Sequence, residues 1–112
     1  MSDGFQASLP EYLRRLPTPE GKAFVVAYAR GTLSVELYAP RGTDPQTPHT
    51  QDEVYVVVRG RGIFFNGGTR QRFEAGDLLF VAAGVEHRFE DFSDDLAVWV
   101  IFYGPEGGEK VV

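Results

Sequence analysis

From residue 23 to residue 103 the apolar positions mostly recur every second residue, the period of strands lying half-buried against a core. Leu33, Val35 and Leu37 alternate with Ser34, Glu36 and Tyr38. Residues 24–29 pair naturally with them across a turn at Arg30-Gly31-Thr32. Further strands are predicted at 54–58, 63–65, 69–73, 78–81 and 87–92, each bounded by glycine, asparagine, aspartate or serine. Asn66-Gly67 between two such runs is a strong signal for a tight hairpin. Residues 96–103 do not alternate, because the Tyr103 hydroxyl is their only side-chain polar group apart from the Trp99 indole N–H. Such a run is expected where both faces are covered. One face would look into the domain, and the other would lie under the N-terminal segment or a second subunit. Many short strands at regular spacing imply an all-β, antiparallel sandwich or barrel.

The first residues follow another period. Ser8-Leu9-Pro10-Glu11 reads as a capping box with proline in the first turn. Leu9, Tyr12, Leu13 and Leu16 would line one face of a short helix, stopped by Pro17 and Pro19. An irregular arm is the alternative. At 112 residues the chain suits one domain whose core needs no disulfide. It has no cysteine, so any metal must take nitrogen and oxygen ligands. The net charge of −5, with no basic run, argues against nucleic acid and anionic membranes as partners. No signal peptide or membrane-length apolar run is present, so a cytoplasmic protein is expected.

Candidate chemistry begins at Pro48-His49-Thr50-Gln51-Asp52-Glu53, just before the β-branched run 54–58. His49 and Glu53 would be roughly 13 Å apart on a straight strand. Prolines 40, 45 and 48 disfavour a helix. A hairpin turning at Thr50-Gln51-Asp52 would instead make them cross-strand neighbours, about 5 Å apart at Cβ. Without a third ligand, the pair reads better as a polar turn with a solvated histidine and a carboxylate at the start of a strand.

A second stretch, Gly76 to Asp91, changes that balance. Together the two stretches resemble the cupin family. Its first motif, G-x5-H-x-H-x3,4-E-x6-G, is matched by His49, Glu53 and Gly60, with Gly42 upstream. Its second, G-x5-P-x-G-x2-H-x3-N, is matched by Gly76, Gly84 and His87. Thr47 stands where the family has its first metal histidine, Ala82 at the proline and Asp91 at the asparagine. The resemblance implies a jelly-roll β-barrel over residues 23–104; the arm or short helix over 1–22 precedes it, and a glycine-rich tail over 105–112, expected to be flexible, follows. It also implies a tetrad of three histidines and one glutamate, of which His49, Glu53 and His87 are present. Two imidazoles and a carboxylate can hold one face of a divalent transition metal, Fe, Mn, Ni, Co or Zn, and leave positions open. Alone, His87 would be a strand histidine beside Glu90 or Asp91, and a barrel that has lost its metal is the competing reading.

Around these ligands Thr47, Gln51, Tyr55 and Phe89 are the expected substrate contacts. Tyr55 shares the Glu53 face and Phe89 the His87 face by alternation. A mainly apolar cavity would suit a small organic ligand that chelates the ion through oxygens. Two functions follow: a metal-dependent enzyme of oxygenase or isomerase/lyase type, or a binding or regulatory module without turnover. A homodimer is expected from the apolar last strand.

Overall fold

The computed structural model describes residues 3–111; the first two residues of the expected arm and the last of the tail lie outside the described residues. One short helix, α1 (Leu9–Leu13), precedes eight strands: β1 (Phe24–Arg30), β2 (Leu33–Tyr38), β3 (Asp52–Arg59), β4 (Arg61–Asn66), β5 (Thr69–Glu74), β6 (Leu78–Val81), β7 (His87–Glu90) and β8 (Ala97–Tyr103). They form a five-stranded sheet, β1-β2-β8-β3-β6, facing a three-stranded sheet, β5-β4-β7. Every pairing is antiparallel. This is the jelly-roll barrel the strand spacing and motifs implied.

Alternation decides what lies between the sheets. Tyr55 and Val57 from β3, Val98 and Val100 from β8, Phe64 from β4, Phe73 from β5 and Phe89 from β7 form the buried core. Gly67 and Gly68 occupy the two loop positions of the β4–β5 hairpin, both at positive φ, the conformation a right-twisting two-residue hairpin requires. At Gly62 a side chain would have no room, because an added Cβ would sit 2.8 Å from the Phe92 Cα. β4 can therefore pass tightly under the turn that leads to β8.

The last strand is covered on both sides, as its unbroken apolar sequence required. Its outer face meets the N-terminal segment: the Tyr12 ring packs edge-on against Trp99 at 6.1 Å. Leu9, Leu13 and Leu16 join Leu37, Ala39 and Ala97 in the same cluster. Phe5 stacks on Tyr28 at 4.7 Å, so the segment before α1 also rests on the sheet. Ser8 precedes the helix but makes no side-chain capping bond. Pro10 stands at the second helical position and lacks the N–H that such a cap can use.

One expectation is corrected here. The hairpin at Thr50-Gln51-Asp52 does not form, and residues 39–51 carry no strand. The reason lies in β3, whose edges are both occupied: Glu53 pairs with Val81 of β6 and with Phe102 of β8. No edge is left for a strand ending at His49. The C-terminal tail makes hydrogen bonds to the end of this same loop and the first residue of β3. Gly107 donates its backbone N–H to the Thr50 carbonyl at 2.7 Å, and Glu109 donates to the Asp52 carboxylate at 2.9 Å. Among the described residues no helix is long and apolar enough to cross a membrane.

Candidate metal centre

Glu53 is the second residue of β3, and alternation turns its side chain inward with Tyr55 and Val57. It is almost wholly buried, at 1% exposure. His87 opens β7 after the turn at Gly84, and its side chain is equally buried. His49 arrives from the loop, held where its carbonyl accepts the Gly84 N–H at 2.7 Å. Ligand atoms of His49, Glu53 and His87 all lie within 4.8 Å of one another. The three residues are thus placed to bind a metal ion, although loop geometry rather than a hairpin brings the first two together.

Local contacts set the state of each group. His87 Nδ1 lies 2.9 Å from the Val85 carbonyl, which can only accept, so Nδ1 carries the hydrogen. Nε2 faces Glu53 Oε1 at 2.9 Å and Gln46 Oε1 at 3.2 Å. Burial pulls the His87 imidazole towards neutrality, but Glu53 and the Val85 carbonyl outweigh it and raise its pKa above the usual 6.5. His49 moves the other way, because burial outweighs the attraction of Glu53. Tyr55 is raised by burial and by the Glu53 charge, so its hydroxyl stays protonated.

The fit to a cation can be read from Glu53. Its Oε2 is buried without a hydrogen-bond partner, a costly arrangement for a carboxylate oxygen unless a cation completes it. The neighbouring groups supply two imidazole nitrogens and oxygen acceptors rather than a lysine or arginine. That donor set suits a divalent transition metal.

At its His49 side the site borders a cavity of about 820 Å³ between β1–β2 and the loop, lined among others by Glu36, Tyr38, Gln46, Thr47, His49 and Phe102. Of the expected substrate contacts, Thr47 is on this wall. Tyr55 lies beneath the site and donates its hydroxyl to Gln46 Oε1 at 2.9 Å. Phe89 is enclosed by Tyr55, Phe64 and Phe73 and serves the core. Gln51 turns away: its amide donates to the Thr32 and Gly104 carbonyls, both at 2.9 Å, and so ties the β1–β2 turn to the end of β8.

Three residues at the site escaped the sequence reading. Gln46 reaches the ligand cluster, one position before the residue that the motif singles out. Asp44 is buried and accepts from the Phe89 N–H at 2.7 Å, from Gln46 Nε2 at 2.7 Å and from the Tyr38 hydroxyl. Glu36 lines the cavity, and burial followed by the Glu53 charge raises its pKa. The available signal was the alternation of β2, which sends Glu36 and Tyr38 to one face.

Comparison with known proteins agrees with this architecture. Residues 34–103 match the cupin domain family, and the chain belongs to it. An uncharacterized protein of Streptomyces coelicolor is 46% identical over 76 residues, covering 66% of this chain and 72% of that one. Acireductone dioxygenase 1 of Pectobacterium atrosepticum is 46% identical over 65 residues, or 53% of this chain. The match spans only 37% of the dioxygenase's length. Among solved structures, a cupin 2 conserved barrel domain protein of Salinispora arenicola superposes with a TM-score of 0.68 at 14% identity. That match covers 93% of this chain and 91% of the other, and at such identity it speaks for the fold alone.

Proposed function

We propose that this cupin binds one divalent transition metal through His49, Glu53 and His87 and acts as an enzyme on a small oxygenated organic molecule. The observation that carries the proposal is the buried Glu53 carboxylate, with one oxygen unpartnered, facing two imidazoles beside a roomy cavity. A metal held there would act as a Lewis acid or bind dioxygen, and would leave coordination positions open on the cavity side. The chain's own residues orient the reactants. Val85 fixes the His87 tautomer, Tyr55 holds the floor, and Phe102 and Val100 limit water on the wall. Glu36 is proposed as the group that gives or takes a proton, because its raised pKa brings its titration nearer neutrality.

The dioxygenase relative favours an oxygenase over an isomerase or lyase, and makes acireductone the first substrate to try. A homodimer and a cytoplasmic location belong to the same reading. For the dimer, Leu78 and Phe80 on the edge strand β6 are 71% and 50% exposed, an apolar surface suited to a second copy. The test is elemental analysis of the purified protein, followed by dioxygen consumption with acireductone and other small oxygenated substrates. Stoichiometric metal with turnover is expected. Metal and ligand binding without turnover would leave a binding or regulatory module, and a metal-free protein would overturn the proposal.

A further inference from the structure

We infer that Gln46 is a fourth protein ligand, giving the metal its side-chain oxygen in the place the family motif assigns to a histidine. The inference rests on the metal-binding reading above. Gln46 Oε1 stands 3.2 Å from His87 Nε2 and 3.4 Å from His49 Nε2. It therefore closes on the same small volume as the Glu53 carboxylate. Thr47, at the motif position itself, is on the cavity wall instead.

The orientation of the amide is determined rather than assumed. Gln46 Nε2 lies 2.7 Å from Asp44 Oδ2, and a carboxylate in that contact accepts. The nitrogen must therefore point to Asp44 and the oxygen to the histidines. Asp44 is itself immobilised by the Phe89 N–H and the Tyr38 hydroxyl, so the glutamine has little freedom to turn over. One lone pair of Oε1 accepts the Tyr55 hydroxyl at 2.9 Å. The other faces the Nε2 atoms of His49 and His87, the side from which a cation would be held.

The contacts around His87 support the same conclusion. Its Nε2 faces two oxygens, Gln46 Oε1 and Glu53 Oε1, while Nδ1 already serves Val85. When His87 Nε2 is protonated it donates to Glu53; once that proton leaves, these atoms are all acceptors and a cation can take the proton's place between them. A metal ion there takes all four atoms as ligands: two imidazole nitrogens, one carboxylate oxygen and one amide oxygen. Replacing an imidazole by an amide oxygen makes the set harder, which favours Mn(II) or Fe(II) relative to Zn(II) or Cu(II).

The test is titration of the metal-free full chain with Mn(II), Zn(II) and Co(II) by calorimetry, with the Co(II) absorption spectrum as a structural readout. Gln46→Ala should weaken Mn(II) binding by more than about tenfold, since losing even a group that only supports a ligand costs about tenfold to a hundredfold. It should weaken Zn(II) less, and it should alter the Co(II) spectrum. Gln46→Asn, one methylene shorter, should do the same and serves if the alanine variant does not fold. Wild type that takes up no metal would overturn the metal reading and this inference together. Wild type that loads normally while a folded Gln46 variant binds as tightly, with an unchanged Co(II) spectrum, would overturn the fourth ligand alone.

Discussion

Glu53 and His87 stand on β3 and β7, within the hydrogen-bonded sheets, whereas Gln46 and His49 hang on residues 39–51, which contain no strand. The strand-borne pair is buried and backed by Tyr55, Phe64 and Phe89. The loop-borne pair faces the cavity, and the His49 side chain remains 33% exposed. Sheet register positions the first pair whether or not an ion is bound. Hydrogen bonds position the second: the Gly84 N–H donates to the His49 carbonyl, and the Gln46 amide donates to the Asp44 carboxylate. The difference teaches that one half of the centre is part of the core and the other half is a clasp laid over it. Substitutions in the first half should cost both metal and fold, and those in the second half mainly metal.

The sharpest break of that comparison is His87→Ala. It removes a ligand, leaves the Val85 carbonyl without its partner and strands the Glu53 carboxylate. Bound metal should fall to near zero in elemental analysis. The metal-free protein should lose on the order of 3 kcal/mol in denaturant unfolding, as when one partner of a buried pair is deleted. His49→Ala should weaken metal binding by about tenfold to a hundredfold, while the unfolding midpoint of the metal-free protein stays close to wild type. Equal losses of stability in the two variants would end the distinction between core and clasp.

The two histidines also separate by pH. The His87 pKa is raised above 6.5 by Glu53 and Val85 against the pull of burial, whereas burial lowers that of His49. Above the lowered His49 value, only His87 must still give up a proton before a metal can bind. Affinity should therefore rise about tenfold per pH unit, one proton per ion, and flatten above the raised His87 pKa. Stability should show the opposite sign without metal. A raised pKa stabilises the fold below the ordinary histidine value, and that increment disappears as pH rises through the folded value. Unfolding measured with a chelator and with saturating metal should thus diverge as pH increases. Two protons released per metal at neutral pH would place both histidines in the same class.

Most of the strand half could be read from the sequence, and most of the clasp could not. Strand alternation is local, so Glu53 inward beside Tyr55 followed from residues 52–58 alone, and Gly76, Gly84 and His87 carried a second motif in order. The outer face of β8 was read as needing a cover, and Tyr12 supplies it against Trp99. Residues 39–51 follow no period. Their path is set by partners far along the chain: Leu96, whose carbonyl accepts from Arg41, Gly84, whose N–H reaches His49, and Phe89, whose N–H reaches Asp44. The assumed hairpin failed because a strand's free edges depend on the whole sheet, and both edges of β3 were taken. Gln46 was passed over for a related reason. A motif counts positions along an irregular loop, but a one-residue shift there costs little and changes which side chain arrives.

Thr47 tests that shift with the smallest expected effect. At the motif position its hydroxyl is expected to stay outside direct coordination, holding a water or leaving a position vacant. The structure puts Thr47 on the cavity wall and fills the corner beside His49 and His87 with the Gln46 oxygen. A neutral hydroxyl is a weak ligand beside imidazole and carboxylate. Thr47→Ala should therefore leave Mn(II) affinity within about twofold of wild type, since its deletion removes no coordinating atom. Its influence should fall on whatever occupies the cavity, as a change in apparent substrate affinity. Thr47→His should tighten metal binding only if the new imidazole can displace Gln46 from that corner. If Thr47→Ala instead lowered Mn(II) affinity as far as Gln46→Ala, the loop in solution would follow the register of the motif, and the clasp described here would be one residue out of place.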